Sequence, residues 1–369
     1  MRLGIDISTY FEEIDRGATY YDGDKVVEPL SLLRANGVDL MRIRLWVNPY
    51  DENGNPYLGG TCDLDNFIRL ARLAESKGYD VMLDIHYSDF WCDPGKQSIP
   101  KSWKNLDLNG LVAKVYEYTK SVLLTAKENG ITIKYIQVGN EITNGMLWPI
   151  GKLIEHEGAP RTNYDNLRAL IKSGVKACRE ITPDAALILH LERSYDQELY
   201  NEFFSHMTDV DYDIIGFSYY PYWHGTFEQF FANVDNCKKF GKRLMVVEVG
   251  YGFTLEDYIK NAHGGAHLVI DATVTEGMSF AKDYPLTPKG QAKFTRDFLV
   301  WARDHGLEAA LWWEPLWIPG DGICWATEEA QRYFGADEIK STRNEWANQC
   351  LFDYEGKKLP AFDEFRKKY

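Results

Sequence analysis

Eight short apolar runs punctuate this 369-residue chain. They are Leu3 to Ile7, Met41 to Trp46, Val81 to His86, Tyr135 to Gly139, Ala186 to His190, Ile214 to Tyr219, Leu244 to Glu248 and Ala309 to Trp313. Near-continuous apolar runs of this length suit strands buried on both faces. Between them the pattern changes to helical spacing, as in Leu111, Val115, Tyr118, Val122 and Ala126, or Phe294, Phe298 and Trp301. Five helix-to-strand junctions carry a glycine: Gly37, Gly78, Gly130, Gly241 and Gly306. Glycine suits a helix C-terminus because the chain there turns into a left-handed conformation that a Cβ resists. Thr226 with Gln229 fits a capping box, and Thr287-Pro288 puts proline in a first helical turn.

Eight strands, each followed by helical or loop sequence, predict a (β/α)8 TIM barrel formed as a single domain over residues 1–369. An open doubly wound sheet is the alternative, but it calls for a glycine-rich phosphate loop after a strand, and no such motif is present. No Pro/Ser-rich linker divides the chain. The segments after the strands are unequal, the long ones being 48–62, 88–107, 142–163 and 251–286. Barrel active sites are built from these βα loops. Nine of the 11 Trp, all but Trp301 and Trp346, lie at strand ends or in the segments that follow them.

The hydrophobic fraction of 45% supports a large core, and the net charge of -14 argues against nucleic acid or an anionic membrane surface as partner. A neutral polysaccharide would be neither steered nor repelled by that field. No apolar run is long enough to span a membrane. The six cysteines are scattered without a CxxC pair, so they read as buried thiols. A strand begins almost at residue 1, which places the protein in the cytoplasm if Met1 is the native start and outside the cell if a signal peptide once preceded it.

Two strands end in a carboxylate. Tyr135-Ile136-Gln137-Val138-Gly139-Asn140 leads into Glu141, and Leu244-Met245-Val246-Val247 leads into Glu248. A carboxyl pair at the strand tips of a barrel is what glycosidic hydrolysis requires, and a charged group leaving so apolar a run is costly without a purpose. Glu141 is expected to act as acid with a raised pKa and Glu248 as an ionised nucleophile. Asn140 is placed to hold a sugar hydroxyl. Arg42 and Arg44 alternate onto one face of the second strand, and Arg44, nearer the carboxyl end, is expected to pair with Glu248. His86, Asp89 and Trp91 after the third strand, His190 after the fifth, Tyr219, Tyr220, Trp223 and His224 after the sixth, and Trp313 after the eighth converge on the same mouth. A metal-dependent hydrolase is the competing enzyme reading, but all eight histidines are isolated from one another in sequence. None of the strands ends in lysine, which disfavours a Schiff-base aldolase. A carbohydrate-binding barrel without turnover would be expected to have lost one of the two Glu.

On these residues the chain resembles glycoside hydrolase family 53, the endo-β-1,4-galactanases that act on arabinogalactan. The resemblance spans nearly the whole length and rests on MRIRLWVNP (41–49), DIHYSDFWCDPGKQ (84–97), QVGNEITNGMLWP (137–149), SYYPYWHG (218–225), WEPLWIP (313–319) and residues 348–360. It implies Glu141 as acid/base, Glu248 as nucleophile, retention of anomeric configuration and β-1,4-galactan as substrate; a monomer that requires no cofactor is expected. From their positions at the strand ends, Arg44, His86, Asp89, Trp91, Asn140, Tyr219, His224 and Trp313 are expected to contact the substrate. Cys92 stands where the family usually has alanine, and Val249-Gly250-Tyr251 replaces a more polar turn after Glu248. The segment after Trp317 (IPGDGICWATEE) departs from bacterial members that hold calcium near their final loops, so the sequence does not support a structural calcium. The insertion 261–283 has no counterpart in that pattern and is expected to alter the cleft.

Overall fold

The computed structural model describes residues 1–259, 268–339 and 341–366. Eight parallel strands close into a barrel: β1 (Arg2–Asp6), β2 (Leu40–Leu45), β3 (Asp80–Ile85), β4 (Ile133–Val138), β5 (Ala186–Leu191), β6 (Ile214–Tyr219), β7 (Arg243–Val249) and β8 (Ala309–Trp312). Each strand pairs with its neighbours in sequence, and β1 closes on β8 through Arg2↔Ala309 to Ile5↔Trp312. Seven helices fill the crossovers: α1 (Pro29–Ala35), α2 (Leu64–Ser76), α3 (Leu108–Glu128), α4 (Tyr164–Ile181), α5 (Gln197–Ser205), α6 (Phe227–Cys237) and α7 (Pro288–Asp304). After β8 the ring is completed by a 3-10 helix, Pro360–Arg366, packed on α7. No helix among the described residues is long and apolar enough to cross a membrane.

The local signals act as their chemistry dictates. The glycines at the five junctions all adopt left-handed conformations, with φ between 66° and 94°. Thr226 and Gln229 form both halves of a capping box, and Pro288 sits in the first turn of α7 behind a Thr287 cap. Helix α3 buries Leu111, Val115, Val122 and Ala126 as the spacing predicts, while Tyr118 is only partly buried. All six cysteines are buried free thiols. Of the insertion, residues 261–267 lie outside the described residues. The remainder holds two one-turn helices, Ala272–Thr275 and Phe280–Asp283.

Alternation along the strands sorts the interior into layers. Leu40, Met82, Ile188, Ile214, Met245 and Leu311 fill one apolar layer at the amino ends of the strands. One pleat further along, the same face carries Asp6, Arg42, Asp84 and Gln137, all fully buried, then Arg44 and His86. The barrel is therefore plugged at its base by hydrocarbon and at its centre by paired charges. Arg42 lies 2.8 Å from both Asp6 and Asp84, binding β1, β2 and β3 across the lumen.

A buried charge left without its partner costs about 3–5 kcal/mol. Arg42→Met is expected to lower the unfolding free energy by about that amount, because Asp6 and Asp84 would then face each other across a dry interior. Urea denaturation measures it, and a midpoint like that of the native protein would show the network to be dispensable.

Candidate active site

Strict alternation along β7 would point Met245 and Val247 into the barrel and leave Glu248 among the helices. A β-bulge prevents this. Phe217 pairs with Val246 but Ser218 pairs with Glu248, so Val247 is the extra residue and Glu248 is turned onto the inner face. There Arg42 meets its carboxylate at 2.9 Å and the Tyr220 hydroxyl donates to it at 2.9 Å.

Glu141 is aimed by backbone strain rather than by pleat. It follows Gly139 and Asn140 and takes φ 48°, ψ 51°, a left-handed conformation unusual for a non-glycine residue. Tyr87, Arg193 and Glu314, just beyond β3, β5 and β8, share this feature. Such positions cost on the order of 1–3 kcal/mol each and persist where surrounding contacts hold them. For Glu141 those contacts come from β5 and β6. The Ser218 hydroxyl donates to Glu141 Oε1 at 2.5 Å, and the Glu141 backbone N–H donates to His190 Nδ1 at 3.4 Å. His190 Nδ1 also lies 3.0 Å from Asn140 Oδ1 and 3.1 Å from Gln137 Nε2, and its Nε2 faces Ser218 Oγ at 2.8 Å. One oxygen of Glu141, one of Glu248 and a ring nitrogen of His190 all lie within 4.8 Å of one another.

The two carboxyls differ in surroundings. Burial pushes Glu141 well above the usual carboxylate range, and the negative charges of Glu248 and Glu192 push it further. Burial raises Glu248 as well, but the Arg42 guanidinium and the Tyr220 hydrogen bond oppose the rise. We place the proton of the pair on Glu141 because it has no cation at contact distance among the described residues, whereas Glu248 has Arg42. Burial also lifts Glu192 to about 7, against the Thr143 hydroxyl and Arg193. His190 is held neutral by burial and by the nearby Arg42 charge.

Both carboxyls open into a cavity of about 710 Å³. Its wall on the β8 side is a block of indoles. Trp313 lies 5.9 Å from Trp91, 6.1 Å from Trp317 and 4.7 Å from Trp346, centroid to centroid. The Trp91 indole N–H donates to the carbonyl of Trp325, whose own indole N–H donates to Ser341 O. Arg44 lies over this block, 4.4 Å from the Trp91 ring. Val269, from the insertion, also lines the cavity and is tied to Glu345 by a backbone hydrogen bond of 2.9 Å.

The cavity gathers Arg44, His86, Trp91, Asn140, Glu141, His224, Glu248 and Trp313. Three expectations need correction. Arg44 does not reach Glu248; its guanidinium is held by Glu314 at 2.7 Å and Asp6 at 3.2 Å, and Arg42, one layer deeper on the same strand face, meets Glu248 at 2.9 Å. Tyr219 points outward to stack on Phe230 at 4.4 Å and Phe298 at 5.8 Å, since the inward residue of that pleat is Ser218. Asp89 lies outside the cavity lining, where its carboxylate accepts from the Lys101 backbone N–H at 2.8 Å and the Tyr333 hydroxyl at 3.3 Å to pin the β3 loop.

Other groups are more committed than their positions in sequence reveal. Both His86 nitrogens are engaged, Nε2 with Asp84 at 2.9 Å and Nδ1 with the Cys92 N–H at 3.1 Å, leaving the ring as wall. His224 accepts the Tyr220 N–H, and burial depresses it to about 3. Asn140 accepts from Arg42 at 2.8 Å and gives one amide proton to Cys92 O at 2.9 Å, which leaves its second proton for a ligand. Trp346, far from any strand in sequence, joins the indole block. Its signal was its nearness to the motif at 348–360. Ser218 was readable from the alternation Ile214, Gly216, Ser218.

Among the described residues, Glu141, His190 and Glu248 also bring three potential metal-binding side chains together. The donor set does not suit an ion. Both His190 nitrogens are taken within the protein, and Arg42 already supplies the positive charge at Glu248.

Comparison with known proteins agrees with this geometry. The chain is 31% identical to the endo-beta-1,4-galactanase of Bacillus subtilis, over 98% of this chain and 85% of the relative. It is 32% identical to the probable arabinogalactan endo-beta-1,4-galactanase A of Neosartorya fischeri, over 85% and 84%. The structure superposes on the GH53 catalytic domain of Ignisphaera aggregans with a TM-score of 0.86 and 34% identity, covering 98% and 94% of the two chains. The profile of glycosyl hydrolase family 53 matches residues 2–365, and with a barrel, a buried carboxyl pair and a tryptophan-lined cleft in place, this chain belongs to that family.

Proposed function

We propose that this protein cleaves internal β-1,4-galactosidic bonds of galactan and type I arabinogalactan with retention of configuration. Glu141 serves as acid/base and Glu248 as nucleophile. The observation that carries this reading is the pair itself: two buried carboxyls with oxygens within 4.8 Å, one beside a guanidinium and one pushed by burial well above the usual carboxylate range. Retaining glycosidases set their carboxyls about 5–5.5 Å apart, whereas inverting ones leave about 6.5–9.5 Å for a water.

In the first step a Glu248 oxygen attacks the anomeric carbon while Glu141 gives its proton to the departing oxygen. A galactosyl ester and a shortened chain result. Glu141, now ionised, takes a proton from water, the water oxygen displaces Glu248 from the anomeric carbon, and both residues return to their starting states. Ser218, backed by His190, keeps Glu141 in place through both steps. Arg42 supplies the positive charge that an ion would otherwise provide, so the reaction takes no cofactor. All the groups used come from one chain, which suits a monomer acting on a neutral polysaccharide.

Glu141→Ala and Glu248→Ala are each expected to lower the rate on linear β-1,4-galactan by at least about 10²-fold while leaving the fold intact. Reducing-sugar release at the native rate by either protein would remove that residue from the mechanism, and an α-configured first product by NMR would exclude retention. The pH profile of kcat/KM should be bell-shaped: Glu141 must keep its proton, so activity is lost as pH rises through its raised pKa. Glu248 must be ionised, so activity is lost as pH falls through its own. Removing the charge that raises Glu141, with Glu192→Gln, should move the alkaline limb to lower pH; an unmoved limb would assign it to another group. Activity on galactan should survive exhaustive chelation, and loss restored by an added divalent ion would favour metal chemistry instead.

A further inference from the structure

Beneath the indole wall lies a second pair of carboxyl groups, which the catalytic steps above do not use. Glu13, on the short helix Tyr10–Asp15, and Glu314, just past β8, are fully buried, as are Thr9 and Tyr20 around them. The Thr9 hydroxyl stands between the two acids, in hydrogen-bond contact with Glu13 Oε1 and 2.8 Å from Glu314 Oε2. The Tyr20 hydroxyl lies 2.8 Å from Glu13 Oε2 and 2.7 Å from the carbonyl oxygen of Leu316.

These four contacts need four protons, and the two hydroxyls bring only two. The Leu316 carbonyl can only accept, so it takes the proton of Tyr20. Tyr20 must then receive one from Glu13 Oε2. Glu13 has no second proton to give, so Thr9 donates to its Oε1, and the last contact is closed only by a proton on Glu314 Oε2. The other oxygen of Glu314 accepts from the Thr9 N–H at 3.2 Å and from Arg44 at 2.7 Å. One arrangement satisfies every contact, and in it both acids are un-ionised.

The surroundings agree with that count. Burial and the neighbouring Glu314 push Glu13 well above the usual carboxylate range, and burial lifts Glu314 to about 8 against the pull of Arg44. Glu13 also faces Glu12, Tyr10 and Tyr20, and Glu314 faces Asp6. Cys62 and Cys350 adjoin the pair, and burial pushes both thiols up. Among the described residues the cation in contact with the pair is Arg44, which Asp6 shares at 3.2 Å.

We infer that Glu13 and Glu314 each hold a proton in the working protein and act together as positioning residues, a neutral hydrogen-bonded chain from Tyr20 to Arg44 that keeps this guanidinium against the indole wall. Arg44 lies 4.4 Å from the Trp91 ring and 5.2 Å from Trp313. An acid that accepts from Arg44 and donates to Thr9 fixes both partners at once, which a carboxylate, an acceptor only, does not do.

Glutamine tests this because its amide oxygen accepts and its NH2 donates where a neutral acid does. Glu13→Gln and Glu314→Gln are expected to fold, and failure of either to fold overturns the assignment for that residue. In infrared difference spectra against the native protein near neutral pH, each should remove a carbonyl band of un-ionised carboxylic acid. Loss of a carboxylate band instead overturns it. The stability profile gives a second reading. An unfolded Glu titrates at about 4.3, so the stability that these protonated acids contribute is full below that value and is lost as pH rises through the higher pKa of the fold. Each glutamine variant should melt close to the native protein at about pH 5 and about 5 °C above it at about pH 8. A midpoint offset that stays constant with pH overturns the assignment. For the hold on Arg44, Glu314→Ala should shift the tryptophan emission of the folded protein and Glu314→Gln should restore it. Emission unchanged in the alanine variant overturns the positioning role.

Discussion

The guanidinium of Arg42 is the interaction on which the rest of the structure depends. It is fully buried at the centre of the barrel and touches Asp6 on β1, Asp84 on β3, Asn140 beyond β4 and Glu248 on β7. A lone guanidinium could not be carried into so dry a place, and neither could the carboxylates alone. Together they make a charged plug that determines which way the nucleophile faces and in which protonation state it waits. Replacing such a network by hydrocarbon is often neutral for stability. Its presence here is explained by chemistry: an ionised Glu248 needs a cation that cannot diffuse away.

The interior nevertheless holds more acid than base. Arg42 and Arg44 face Asp6, Asp84, Glu248 and Glu314, and burial raises Glu314 to about 8 despite Arg44 at 2.7 Å. Glu314 thus holds its proton at neutral pH and relieves the excess. Asp84 feels the same burial, but Arg42 and His86 keep it below its usual range. A guanidinium in contact lowers a buried carboxyl without deciding its proton alone, since Glu314 stays raised at 2.7 Å from Arg44, and the acid Glu141 has no cation in contact among the described residues.

Preorganisation is maintained by strain at the strand ends. Tyr87, Glu141, Arg193 and Glu314 adopt left-handed backbone conformations at the mouth of the barrel, and the β7 bulge adds an extra residue at Val247. Each is locally unfavourable. Each is compensated by the closed sheet beneath, whose hydrogen-bonded register leaves the ends few alternatives. A rigid barrel with strained rims can hold two carboxyls at bonding distance from one substrate atom without a binding event to assemble them.

The linear order of residues determined a good deal by itself. Strand burial on both faces, helical periodicity and the junction glycines are local or nearest-neighbour effects, so the eight βα units and the two carboxylate-bearing strands were legible from the chain. Glu141 and Glu248 could be named because a charge at the end of an apolar run is visible in one dimension. What tertiary structure alone decided was direction and partnership. Arg42 rather than Arg44 meets Glu248 because the layer in which each guanidinium finds its partners is a property of the closed barrel. Tyr220, one residue past the end of β6, faces the cleft because the loop rather than the pleat aims it. Trp346 enters the indole block from a segment that no periodicity ties to a strand. A bulge of one residue leaves no mark in composition, yet it turns Glu248 inward, because facing in a sheet has period two and one inserted residue reverses it.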